Sequence, residues 1–252
     1  MIQQTLEKMK RMKLYGMQRS FRHATETGSM ANLTPDELIS LLVENEWDDR
    51  QNRSMERNLR GARFRYQATV EELDFRPGRE LDKNQLLRLA DGGYIKKGEN
   101  ILLTGSTGTG KSYLACALGN QACSKGHKVL YANTTRLLTQ FKMAKVDGSA
   151  IKEMLRLEKL DVLILDDFGI QPLDVQSRML LMELIEDRHG KKSTIITSQL
   201  PVSAWYEIIG DRTWQMLFWT ESCTTHTASN YRENPCGNNE KSIPKIYNFN
   251  AT

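Results

Sequence analysis

The spacing of apolar residues changes along the chain, and the change divides it. Near the start, Leu6, Met9, Met12, Leu14 and Met17 recur at near-helical spacing among lysines and arginines, which predicts a short basic amphipathic helix. A second helix opens at Thr34-Pro35-Asp36-Glu37, where a threonine N-cap, a proline at the first helical position and a glutamate three residues on form a capping box. It continues through Leu38, Leu41, Leu42 and Trp47 toward Leu59. Phe75-Arg76-Pro77-Gly78-Arg79 interrupts the helical pattern, and Asp91-Gly92-Gly93 and Lys97-Gly98-Glu99-Asn100 are further turn signals. From there short apolar runs alternate with helical periods: strands are expected over 101–104, 128–132, 161–165 and 193–197, and helices over 111–124, 135–144 and 175–189. Runs such as Val162-Leu163-Ile164-Leu165 are apolar at every position, as in strands covered on both faces. The expected fold is therefore α/β, a parallel sheet with helices on both faces, preceded by a small all-helical N-terminal domain. The expected division is 1–76 for the helical domain, 77–211 for the α/β core and 212–252 for an aberrant tail.

The composition narrows the class of function only a little. With 252 residues and a formal charge of +4 the chain can bury a full core and is mildly basic, compatible with nucleic acid without demanding it. Its four cysteines (Cys116, Cys123, Cys223 and Cys236) form no Cys-x-x-Cys pair and have no histidine at zinc spacing, so they read as structural or incidental thiols in a reducing compartment. The basic start has no apolar run behind it and no stretch approaches the length of a membrane span, so a cytoplasmic protein with no membrane contact is expected. One stretch stands out by charge. In Arg57-Asn58-Leu59-Arg60-Gly61-Ala62-Arg63-Phe64-Arg65-Tyr66, arginines alternate with aromatics, a composition suited to pairing with phosphates and stacking on bases, and equally to a helix face packed on the next domain.

The chemistry is concentrated in three segments. Gly105-Ser106-Thr107-Gly108-Thr109-Gly110-Lys111-Ser112 fits the P-loop pattern in full and lies between a predicted strand and a predicted helix. Its glycines let successive backbone N–H groups face phosphate oxygens at the positive end of the helix dipole. Lys111 is placed to reach the β and γ phosphates of ATP, and the Ser112 hydroxyl to bind Mg²⁺. The strand Val162–Leu165 runs into Asp166 and Asp167. Asp166 at its carboxyl end is the expected metal residue, and Asp167 the carboxylate that polarises the attacking water; alternatively, Asp167 caps the turn into Phe168-Gly169. After the strand Thr194-Ile195-Ile196-Thr197, Ser198 and Gln199 are candidates for a side chain that reports the γ phosphate, or simply terminate the strand.

These segments together resemble the IstB-like transposition helper ATPases, relatives of the DnaC-like helicase loaders within the AAA+ superfamily. The resemblance rests on Gly105–Ser112, on Leu163–Gly169 (Leu-Ile-Leu-Asp-Asp-Phe-Gly), on Ser193–Leu200 and on Trp205–Asp211, with Leu6–Tyr66 similar to that family's helical DNA-binding appendage. It implies an AAA+ type core, an ATP-regulated homo-oligomer assembled through the ATPase domain on double-stranded DNA, and delivery of that DNA to a partner transposase. The alternatives are a DnaC-like loader of a replicative helicase and a small-molecule kinase; the kinase is disfavoured because no arginine-rich lid segment follows the Asp166-Asp167 strand and two adjacent carboxylates suit water activation.

The resemblance stops at Gly210-Asp211, where family members continue with a helical segment similar to Val-Ala-Asp-Ala-Ile-Leu-Asp-Arg. This chain reads Arg212-Thr213-Trp214-Gln215-Met216-Leu217-Phe218-Trp219 instead, followed by a polar stretch without helical period. The genetic code relates the two. Taking the last base of each codon with the first two of the next, Trp214 into Gln215 must give alanine, Phe218 into Trp219 leucine and Trp219 into Thr220 aspartate; the remaining junctions permit Ala-Asp-Ala-Ile-Leu-Asp-Arg. Asn230 to Asn238 likewise permits Leu-Gln-Gly-Glu-Ser-Met-Arg-Lys, similar to the family's ending. A reading-frame shift near Asp211-Arg212 is the expectation, with a poorly ordered tail. On the resemblance, the lost Leu-Asp-Arg carries the arginine that a neighbouring subunit inserts against the γ phosphate, so impaired hydrolysis and weak assembly are expected.

Overall fold

The computed structural model describes residues 1–75, 82–209 and 245–249. The chain divides into two compact units, Met1–Arg57 and Asn58–Thr252, earlier than the junction expected near Pro77. The reason is that the segment after Asn58 is apolar where it matters: Ala62, Ala68 and Val70 are buried in the core of the second unit, with Leu59 and Phe64 packed against it.

The first unit contains α1 (Ile2–Arg11), α2 (Tyr15–Glu26), a 3₁₀ turn at Ser29–Asn32 and most of α3 (Pro35–Ala62). The single basic helix expected here is two, because Lys13 adopts φ 60° and breaks the path between them. The first turn of α2 has no side-chain cap of its own. Glu46 of α3 supplies one, its buried carboxylate accepting the amides of Gly16 at 2.9 Å and Met17 at 3.3 Å. Gly16 permits that approach, since a Cβ there would stand 2.2 Å from the Asn45 carbonyl oxygen. The capping box of α3 forms as its sequence predicts. Thr34 N donates to Glu37 Oε2 at 2.8 Å and Glu37 N donates to Thr34 Oγ1 at 3.3 Å, an arrangement typically contributing about 1 kcal/mol.

In the second unit α4 (Lys83–Ala90) and α5 (Gly93–Lys97) precede the alternation of β1 (Asn100–Thr104), α6 (Lys111–Ser124), β2 (Val129–Asn133), α7 (Thr134–Val146), α8 (Ala150–Glu158), β3 (Val162–Phe168), α9 (Val175–Arg188), β4 (Ser193–Ser198) and α10 (Trp205–Ile209). The sheet order is β2-β3-β4-β1, all parallel, with β5 (Lys245–Phe249) antiparallel on the β1 edge. The rest of the expected tail lies outside the described residues. Side chains from the two faces of the sheet feed two apolar clusters, one around Ile101, Leu103, Ile164 and Ile195 with α6, the other around Leu102, Leu163, Leu165 and Ile196 with α7 and α9. Helices on both faces explain why β1, β3 and β4 are apolar without alternation. All four parallel strands end at the same edge, where ligands of open α/β sheets bind.

Candidate functional site

At that edge the β1–α6 loop supplies a turn that only glycine adopts cheaply. Gly105, Gly108 and Gly110 have φ of 153°, 83° and 89°, and nothing stands within 4 Å of a Cβ built at Gly108 or Gly110, so their backbone conformation rather than crowding requires glycine. The loop ends at the N-terminus of α6, the first residue of which is Lys111. Its ammonium donates to the carbonyls of Gly105 at 2.8 Å and Ser106 at 2.7 Å and is nearly buried. Burial holds it below the ordinary lysine value, and the carboxylates of Asp166 and Asp167 partly offset this.

Asp166 is fully buried and anchors the second half of the site. Its Oδ1 accepts the hydroxyls of Ser112 (2.8 Å) and Thr197, and its Oδ2 accepts the hydroxyl of Tyr131. Burial first, then the Asp166 carboxylate, pushes the Tyr131 phenol upward, which keeps it a donor. Thr134 Oγ1 donates to the Asp166 backbone carbonyl at 2.9 Å. The hydroxyl of Ser112 and the carboxylate of Asp166 thus already converge as hard oxygen donors. Such a pair fits Mg²⁺, which takes one or two protein ligands and completes its shell with phosphates and water.

Asp167 lies where the β3–β4 register shifts between Leu165 and Phe168, and its φ of 60° is unusual for a residue with a Cβ. Its N–H donates to Thr197 Oγ1 at 3.1 Å, and its carboxylate accepts Asn133 Nδ2 at 3.1 Å. The bulge turns two consecutive carboxylates toward one space, which an unbroken strand would send to opposite faces. Of the two residues suggested after β4, Gln199 accepts the hydroxyl of Thr107 on the glycine-rich loop at 2.8 Å. Ser198 is buried and directed elsewhere, donating to the Phe168 carbonyl at 2.8 Å and accepting the Leu200 amide at 3.1 Å.

The residue that links the Asp166 carboxylate to the Asp167 backbone amide is Thr197, one position before those singled out in the sequence. Tyr131 and Asn133 of β2 and Thr134 at the start of α7 were also missed, although the place of the first two in the carboxyl-terminal half of β2, paired in register with β3, was a usable signal. Arg65, whose Nη1 lies 4.0 Å from Asp166 and 3.9 Å from Asp167, gave no such signal. Phe64 beside it packs against Gly119 on α6, so this aromatic of the basic run serves the core.

The segment 7–217 matches the family described as IstB-like ATP binding protein. An insertion sequence ATP-binding protein of Sinorhizobium fredii, y4pL, is 43% identical over 210 residues, covering 83% of this chain and 86% of the relative. The ATP-binding protein of insertion sequence IS1162 from Pseudomonas fluorescens is 43% identical over 204 residues, covering 81% and 88%. Among solved structures, AMPPCP-bound DnaA from Aquifex aeolicus aligns with a TM-score of 0.52 at 18% identity, over 60% of this chain and 47% of that one, a likeness of fold. A P-loop opening onto a paired-carboxylate strand, a parallel sheet of this order and a match that spans both units agree: the chain belongs to the IstB-like ATP-binding proteins of insertion sequences.

Proposed function

We propose that this chain is a Mg²⁺-dependent ATP hydrolase that acts as a transposition helper, assembling as a homo-oligomer on double-stranded DNA and delivering it to a partner transposase. The observation that carries the hydrolase reading is the convergence of Lys111, Ser112, Asp166 and Asp167 on one space at the carboxyl edge of the sheet. Bound Mg²⁺ supplies charge neutralisation of the β and γ phosphates. The chain's own groups do the rest. The loop amides of residues 105–110 orient the phosphates, and Lys111 turns from the loop carbonyls to them, exchanging neutral acceptors for anionic ones. Asp167 polarises the attacking water, and Gln199, already on the loop through Thr107, is within reach of the same phosphate. The transposition reading draws on the relatives, which are named as ATP-binding proteins of insertion sequences. The exposed Lys8, Lys10, Arg11 and Lys13 of the first unit suit sequence-tolerant contact with DNA phosphates.

The test is nucleotide and DNA binding by the purified chain. Lys111→Ala is expected to abolish ATP binding, and near-native affinity in that variant refutes the loop's role. Duplex DNA binding is expected to weaken steeply with salt and to be lost from a chain lacking residues 1–57. Unchanged binding after that truncation moves the DNA surface to the second unit.

A further inference from the structure

We propose that Arg65 is a positioning residue for the terminal phosphate of ATP, a cationic group supplied in cis that makes the site prefer ATP to ADP; the inference rests on the nucleotide site proposed above. The backbone around Arg65 is fixed on the P-loop helix. Arg63, just past the end of α3, takes φ 56° and turns the chain, and Ala62 and Ala68 on either side of the segment are fully buried. Phe64 lies against Gly119 of α6, and the Tyr66 ring stands 6.0 Å from that of Tyr113, also of α6. The Arg65 side chain is 54% exposed, its guanidinium 5.3 Å from the centroid of the Tyr66 ring.

Its guanidinium lies 3.9 Å from Asp167 and 4.0 Å from the Asp166 oxygen that accepts Tyr131. It therefore borders the same space as Lys111 and Ser112. A γ phosphate held by Lys111 and facing Asp167 enters that space with its own negative charge, within a side-chain rotation of Arg65. A guanidinium presents five N–H donors in a planar fork, so it can hold a phosphate oxygen while keeping one carboxylate partner. ADP brings no group to that position, and its binding is left to the loop and Lys111.

The experiment compares Kd values for AMPPCP and ADP, both with Mg²⁺, in wild type, Arg65→Gln and Arg65→Lys. Loss of a charge-assisted hydrogen bond is expected to weaken AMPPCP by about tenfold or more in R65Q and ADP by less than about threefold. R65K is expected to fall between, since lysine keeps the charge without the fork. Thermal unfolding of both variants is expected to match wild type, as the side chain is half-exposed. Equal weakening of both nucleotides, or unchanged AMPPCP affinity, overturns the assignment to the terminal phosphate. A wild type that binds neither nucleotide overturns the nucleotide site itself, and this inference with it.

Discussion

Thr197→Val isolates the residue that ties the Asp166 carboxylate to the Asp167 backbone. Thr197 is 1% exposed, donates its hydroxyl to Asp166 and accepts the Asp167 amide at 3.1 Å. Valine has nearly the same shape, so packing is kept while both hydrogen bonds are removed. A hydrogen bond to a charged group is worth about 1.5–3 kcal/mol, and a stranded buried amide costs about 1–3 kcal/mol. Asp166 keeps its donors Ser112 and Tyr131, which reduces its share, and the added methyl returns about 1 kcal/mol by burial. The net expected loss is about 2–4 kcal/mol of folding stability. Urea unfolding followed by tryptophan fluorescence reads it, because Trp205 packs on Phe168, the residue after Asp167, at 4.5 Å between ring centroids. Thr197→Ser is the control: it keeps the hydroxyl and loses one methyl, a cost of about 1 kcal/mol. The reasoning fails if serine destabilises as much as valine, or if valine costs less than about 0.5 kcal/mol, since the methyl rather than the hydroxyl would then matter.

Three further outcomes are expected. Asp167→Asn should leave nucleotide binding intact while lowering turnover by about a hundredfold or more, measured as phosphate release; normal hydrolysis moves the water-activating role elsewhere. Gly119→Ala sets a Cβ 2.6 Å from the Phe64 ring and 2.8 Å from Ile164, and should cost about 1–3 kcal/mol in thermal unfolding, because neither neighbour sits in open space. The gene, read in the neighbouring frame from about Arg212, should encode Ala-Asp-Ala-Ile-Leu-Asp-Arg and, further on, Leu-Gln-Gly-Glu-Ser-Met-Arg-Lys. A nucleotide sequence that cannot be read so ends the frame-shift reading, and vigorous DNA-stimulated hydrolysis by the 252-residue chain contradicts the expected impairment.

Much of the second unit was legible because its signals are local. The strands at Ile101, Val162 and Ser193 and the helices at Lys111 and Val175 carry their own apolar runs and periods, and their observed limits differ from the expected ones by a few residues at most. The capping box at Thr34 needs only four consecutive residues, and it formed. What the local pattern did not show was the break between nearby helical periods at Lys13 and the division of the compact units after Arg57. The first depends on a single left-handed residue, and the second on which core Ala62, Phe64 and Ala68 enter. Short helices such as α4, α5 and α8 were also not foreseen. They carry too few residues for a period to declare itself.

The candidate site divides in the same way. A phosphate loop is a contiguous string, since glycine freedom, amide direction and the helix that follows are all written in eight neighbouring residues, and Asp166 follows from the end of an apolar strand. Sequence alone therefore determined the glycine-rich loop, the paired carboxylates and the family. Tertiary structure alone decided what surrounds the carboxylates. Thr197, Tyr131 and Asn133 meet Asp166 and Asp167 only because β2 and β4 flank β3, and the bulge at Asp167, not its position in the chain, turns two adjacent side chains to one side. Arg65 reaches them across a hundred residues of chain because Phe64 finds its place against a glycine on α6, a contact that no local pattern encodes.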